Sequence, residues 1–288
     1  MPLFAITGIT GRVGAAAARR LLNEGARVRG VVRDAARATP WREAGTEIAS
    51  AALDDASALT AAFEGVDGVF VMTPTWFESP DMFARNVRAV EALGKALRAA
   101  RPARVVLLSS IGAQHASGTG AILKLHHMEQ AFADLPGMVS VRAGWFMENY
   151  AGLIPHVRAT GVLPSMLAPL DRAQPMVATQ DIGEAIAATL LGSQPSPGVV
   201  ELEGPRRYAP HDVAAALATV LGRPVEAQAL PSSDWPATYA QWGLTPRSAE
   251  AMAEMLAGFN SGHIAFETVD TVRGPTALET VLAGLAAL

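Results

Sequence analysis

A short apolar run, Leu3-Phe4-Ala5-Ile6, leads directly into Thr7-Gly8-Ile9-Thr10-Gly11-Arg12-Val13-Gly14. This order predicts a buried strand, a glycine turn and then a helix. The first N–H groups of a helix have no partners within it, and its N-terminus carries partial positive charge. Glycines let phosphates approach that backbone closely. The spacing is G-x-x-G-x-x-G, not G-x-G-x-x-G, and glycine triplets are common in a chain with 26 glycines. Position gives this one its weight, because it follows a strand and precedes Ala-rich helix. The stretch is therefore expected to hold a dinucleotide pyrophosphate, with Gly8, Thr10, Gly11, Arg12, Val13 and Gly14 as contacts. The competing reading is a tight strand–helix turn with no ligand.

The 288 residues suggest two domains, or one large α/β domain with an annex. Half of them are hydrophobic, enough for a substantial core. Arg, Asp, Glu, Gly and Pro interrupt every apolar run before about 18 residues, so no membrane span is expected. The net charge is −4 with no Lys/Arg block, which argues against a nucleic-acid partner. Cysteine is absent, excluding disulfides, zinc–thiolate sites and a thiol nucleophile. No basic segment with an apolar signal core stands at the start, and the expected location is cytoplasmic.

Strand and helix alternate through the first half. Continuous apolar runs such as Val66–Met72 point to strands buried on both faces of a parallel sheet. Met82, Val87, Val90, Leu93 and Leu97 recur at helical spacing. The pattern predicts an α/β fold with a doubly wound parallel sheet of the Rossmann type over residues 1–150. Past residue 150 the rhythm changes. Pro155, Pro164, Pro169 and Pro175 predict an irregular segment, and residues 151–288 read as a smaller mixed substrate domain or annex. Some of its strands and helices are expected to return to the core. Ligands of such sheets lie beyond the carboxyl ends of the strands, which is where the chemistry should be.

The second strand ends Val31-Val32-Arg33-Asp34. An acid usually ends this strand where NAD binds, whereas an arginine can pair with a 2′-phosphate. Arg33 therefore predicts NADP(H) in preference to NAD(H), with Arg12 as a second positive charge.

In order along the chain, several segments resemble the NmrA-like family of atypical short-chain dehydrogenases/reductases. They are the glycine loop, Val32-Arg33-Asp34, Gly65-Val66-Asp67-Gly68-Val69-Phe70, Leu108-Ser109-Ser110, Trp145-Phe146-Met147-Glu148-Asn149, Asp181-Ile182-Gly183 and Leu221-Gly222-Arg223-Pro224-Val225. The resemblance implies a Rossmann domain with a small C-terminal substrate domain and NADP(H) as ligand. It implies that Arg33 meets the adenosine phosphate and that Leu53 flanks adenine, with Ala52 where the family often has an acid. It places Thr73 and Pro74 near the nicotinamide ribose and Ser109 after the fifth strand. Trp145, Phe146 and Asn149 would border the nicotinamide. Arg142-Ala143 departs from the usual Arg-Pro.

The wider superfamily uses Tyr-x-x-x-Lys, in which the lysine lowers the tyrosine pKa. Here Tyr150, Tyr208 and Tyr239 are followed four residues later by Ile154, Asp212 and Gly243, so the dyad is missing. Lys124 and His126 lie where the family places its lysine or histidine and are the candidate catalytic proton donors; Lys124 is also a candidate cofactor contact. No metal is expected, since His126, His127 and Glu129 do not share a helix face as i and i+4 would. Trp76 and Phe77 after the fourth strand, with Trp145 and Phe146 after the sixth, predict an apolar slot for a flat conjugated substrate. No Gly-x-Ser-x-Gly elbow supports hydrolase chemistry. The expected function is an NADPH-dependent oxidoreductase acting on a quinone, azo or similar acceptor. The alternative is a non-catalytic NADP(H)-binding redox sensor, and a sugar-nucleotide epimerase is disfavoured by the missing dyad. Beyond the small substrate, the expected partner is a second copy in a homodimer or a regulatory protein.

Overall fold

The computed structural model describes residues 1–192 and 198–287. Its elements begin with β1 (Leu3–Thr7), α1 (Arg12–Asn23), β2 (Arg27–Val32), α2 (Thr39–Glu43), β3 (Glu47–Ser50), α3 (Ala56–Phe63), β4 (Gly68–Val71) and α4 (Met82–Ala100). Then come β5 (Arg104–Ser110), α5 (Leu123–Phe132), β6 (Met138–Ala143), β7 (Trp145–Phe146), α6 (Ile154–Thr160), β8 (Val162–Ser165), β9 (Met176–Val177) and α7 (Thr179–Leu191). The remainder is β10 (Val199–Glu203), α8 (Pro210–Leu221), β11 (Glu226–Ala229), α9 (Trp235–Gln241), α10 (Pro246–Ser261), β12 (Val272–Arg273) and α11 (Leu278–Ala286).

Eight strands form one parallel sheet in the order β12-β10-β6-β5-β4-β1-β2-β3. The chain moves outward from β1 through β2 and β3, then returns to the other side at β4. The switch point of this doubly wound sheet is thus between β1 and β4. β10 and β12 enter the sheet from beyond residue 150, beside β6.

Side-chain alternation explains the layers. Phe4 and Ile6 of β1 pack with Val13, Ala17, Ile182 and Ile186 of α1 and α7. Leu3 and Ala5 face the other way, toward Leu59 of α3, Leu93 of α4 and Met128 of α5. Helices α1 and α7 approach closely because residue 183 is glycine. A Cβ there would lie 2.4 Å from Ala16 Cβ and 2.7 Å from the Ala17 nitrogen.

The annex has its own core, including Met147, Tyr150, Val157, Leu163, Leu217, Tyr239 and Phe259. The proline-rich stretch predicted to be irregular is partly regular. A 3₁₀ segment, Met147–Leu153, runs into α6, and Pro155 occupies the first helical turn. Proline fits there because that turn's N–H has no intrahelical acceptor to lose. β8 pairs with β11 in a separate two-stranded sheet. Among the described residues, no helix is long and apolar enough to cross a membrane.

Candidate active site

Each glycine of the first loop has its own steric reason. Gly8 has φ +67°, and a Cβ on it would lie 2.8 Å from Met72 Sδ. A Cβ on Gly14 would lie 2.3 Å from the Gly8 carbonyl oxygen, so the first turn of α1 can pack here only as glycine. Gly11 N donates to Gly8 O at 2.9 Å, closing the turn. Gly11 is also the N-cap of α1 and offers no side-chain acceptor, which leaves the helix's first N–H groups open. Across the switch point, Thr7 Oγ1 donates to Phe70 O at 3.1 Å and accepts from Met72 N at 3.0 Å. The ends of β1 and β4 are thereby fixed to each other.

A cleft of about 510 Å³ opens at this edge. One wall follows β1, β2 and β3, with Gly8, Thr10, Val32, Arg33, Arg37 and Leu53. The other follows β4 and includes Met72, Pro74, Trp76, Arg85 and Ala89. Asp34 lies beside Arg33, but its Oδ1 accepts from Ala36 N at 3.0 Å and caps a 3₁₀ turn over Ala35–Ala38. Arg33 ends β2 as an exposed charge, and Asp34 beside it is exposed as well and lines the same cleft. Arg12, expected to add a second positive charge here, lines a separate depression with Glu148 and Gln180. The further positive charges of the cleft are instead Arg37 and Arg85. Arg37 was legible as a residue four beyond Arg33 on the turn that follows β2. Arg85 had no sequence signal, because its place depends on how α4 packs.

Behind Pro74 lies a buried polar chain. Thr73 Oγ1 donates to Asn86 Oδ1 at 2.8 Å, and Asn86 Nδ2 donates to the Lys124 carbonyl at 3.2 Å. Lys124 Nζ donates to Pro74 O at 2.9 Å. Lys124 is only 4% exposed, and burial pulls its pKa from 10.5 down to about 7. Four residues earlier, where the dyad tyrosine would stand, is Gly120 with φ +52°. A Cβ at 120 would lie 1.9 Å from the Ala251 carbonyl oxygen of α10, so the helix occupies the space a tyrosine would need. Burial pushes the Tyr150 and Tyr239 hydroxyls above the ordinary phenol range, so neither replaces it as a ready acid.

The other expected contacts lie outside the residues that line the cleft. Ser109 Oγ donates to Glu129 Oε1 at 2.5 Å, and Glu129 accepts from Arg142 Nε at 3.0 Å and Nη2 at 2.7 Å. The Ser109 hydroxyl is thus committed to a buried ion pair. His126 Nδ1 lies 2.8 Å from Ala113 O, which accepts only if Nδ1 carries the proton. Trp145 meets Phe259 edge-on at 5.5 Å, and its Nε1 is buried without a partner. Phe146 packs against the core beside α7, and Asn149 is exposed. Phe77 packs with Met82, Ala121 and Ala251. Among the described residues, no group of His, Asp and Glu is arranged to hold a metal.

A glycine cradle at an open helix N-terminus, at the switch point of a parallel sheet, defines a dinucleotide-binding α/β protein. The NmrA-like family model matches residues 3–281, and the chain belongs to that family. It is 30% identical over 228 residues to a (4-alkanoyl-5-oxo-2,5-dihydrofuran-3-yl)methyl phosphate reductase of Streptomyces griseus, covering 78% of this chain and 76% of that one. It is 28% identical over 277 residues to an NAD(P)H azoreductase of Xenophilus azovorans, covering 93% and 92%. The crystal structure of an NADPH-dependent quinone oxidoreductase of Escherichia coli, complexed with NADPH, superposes with a TM-score of 0.82 at 25% identity, over 98% of this chain and 99% of that one.

Proposed function

We propose that this protein is an NADPH-dependent reductase of a flat, conjugated, electron-poor acceptor such as a quinone or azo compound. The observation that carries the reading is the cleft itself, where the glycine cradle and three arginines share one opening at the β1–β4 switch point. The glycine loop would hold the pyrophosphate, and Arg33 the adenosine 2′-phosphate. Bound NADPH supplies a hydride, which together with one proton completes a two-electron reduction of the acceptor.

The chain's own residues orient the two reactants and exclude water. An acceptor that carries its own electron sink needs little help from a protein acid, which suits a site where helix α10 fills the place of the tyrosine. Lys124, with its pKa near 7 and its Nζ on the carbonyl of Pro74 in the cleft wall, is the first candidate to give or take a proton. His126 is the second candidate donor; with its Nδ1 proton held by Ala113 O, it gives a proton from Nε2 only as the imidazolium. The reductase names of the azoreductase and quinone oxidoreductase relatives support this acceptor class.

The test is NADPH consumption by the purified protein across quinones, azo dyes and enones, with NADH in parallel. Turnover favouring NADPH supports the proposal. Tight NADPH binding with no turnover on any acceptor would favour the redox sensor.

A further inference from the structure

Trp76 has a backbone that its side chain does not favour. Its φ is +52°, and Arg101 is the only other non-glycine residue with positive φ among the described residues. Bulky residues are rare in this region and persist where the surroundings hold them. Both flanks of the loop are held. On one side Pro74 O accepts from Lys124 Nζ at 2.9 Å. On the other, Phe77 O accepts from Thr245 N and Ser79 O accepts from Thr245 Oγ1, each at 3.2 Å. A turn bond from Ser79 N to Trp76 O at 2.9 Å closes the loop between these anchors. Phe77 and Trp76 both pack against the apolar cluster of Met82, Ala121 and Ala251. Of the two, Trp76 also lines the cleft.

The ring has a backing as well as an opening. The Arg85 guanidinium lies over it, 4.8 Å from the ring centroid, and Arg85 lines the same cleft. Across the cleft are Arg33 and Leu53, at the ends of β2 and β3. Trp76 thus shares this cleft with Arg33 and Leu53, whereas Lys124, Ser109 and Trp145 do not line it.

We infer that Trp76 is a cofactor-binding residue whose indole, backed by Arg85, stacks on the adenine of the bound dinucleotide. The inference rests on the dinucleotide reading of the cleft. It assigns the base-binding surface to the β4 loop and removes Phe77 from ligand contact. Every purine presents a π-face to an aromatic ring, so the contact needs no hydrogen-bond code.

The probe is adenosine 2′,5′-bisphosphate, which carries the adenosine half of the cofactor and no nicotinamide. Its affinity, and that of NADPH, would be measured by calorimetry for the wild type, Trp76→Phe and Trp76→Gly. Glycine suits the positive φ, so Trp76→Gly keeps the loop conformation while losing the ring. The expected result is a loss of roughly tenfold in affinity for both ligands in Trp76→Gly, with Trp76→Phe near the wild type. The bisphosphate should also quench tryptophan fluorescence in the wild type and do so far less in Trp76→Phe, with KM for the acceptor unchanged. Unchanged or tighter bisphosphate binding by Trp76→Gly would overturn the inference while leaving the cleft a dinucleotide site. A wild type that binds neither ligand would overturn the reading of the cleft as well.

Discussion

Lys124 Nζ donates to the carbonyl oxygen of Pro74 across 2.9 Å, joining the first turn of α5 to the loop that walls the cleft. A lysine only 4% exposed, with one backbone acceptor and no carboxylate partner among the described residues, is held at an energetic disadvantage when charged. Its lowered pKa expresses that disadvantage.

The consequence for stability has a definite sign. Between about pH 7 and 10.5 the unfolded chain holds a proton on Lys124 that the folded chain releases, so this group makes stability rise with pH across that window. Below pH 7 the full penalty applies. Lys124→Met is therefore expected to stabilise the fold by about 2 kcal/mol at pH 6, after allowing for the lost hydrogen bond, and by progressively less toward pH 10. Urea unfolding at several pH values checks this. A variant less stable than the wild type at pH 6 contradicts it.

Lys124→Met also bears on the chemistry. If the amine passes the proton, kcat should fall about tenfold or more, and the inflection near pH 7 should vanish from the rate profile. His126→Asn should leave that inflection in place. A profile that keeps its inflection in Lys124→Met and loses it in His126→Asn would move the role to His126.

Arg33 ends β2 in the wall of the cleft, beside Asp34, whose Oδ1 caps the turn that follows. Arg33→Asp should weaken NADPH binding about 30-fold, equivalent to about 2 kcal/mol for a lost charge-assisted contact, and weaken NADH by less than about threefold. Calorimetry with both cofactors reads the difference. Equal weakening would remove Arg33 from phosphate recognition.

The Ser109–Glu129–Arg142 cluster fixes α5 against β5 and β6. Arg142 is buried and also pairs with Glu267. Arg142→Met should destabilise by about 3 kcal/mol, because Glu129 is left buried and uncompensated. The double variant Arg142→Met/Glu129→Gln should recover part of that loss, giving a measurable coupling energy. Additive losses would show that the two charges do not support each other.

Gly183 controls how closely α1 and α7 approach. Gly183→Ala places a methyl 2.4 Å from Ala16 Cβ, and about 2–3 kcal/mol of destabilisation is expected as the helices part. Thermal unfolding checks the prediction, and an unchanged Tm contradicts it.

The sheet was readable in the sequence because its cause is local. Apolar runs such as Val69–Val71 and the turn glycines Gly8 and Gly14 are determined by their immediate neighbours along the chain. Arg33 was legible for the same reason, since a strand end fixes its position. What pairs across the fold was not legible. Ser109 and Glu129 are 20 residues apart, and nothing in either segment announces a shared buried ion pair. The side to which Trp76 turns depends on Thr245, far along the chain, which anchors its loop. Arg12 follows the glycine turn, yet the geometry of α1 carries its side chain to a different depression. Pro155 was read as a break because its meaning depends on where the helix starts.

The most direct test of the central claim is an anaerobic reaction of the protein with NADPH and a quinone, following both the cofactor and the quinol. The account predicts catalytic turnover with one quinol formed for each NADPH oxidised, and much slower turnover with NADH. NADPH that binds tightly yet stays reduced, with quinones and every other conjugated acceptor, would contradict it.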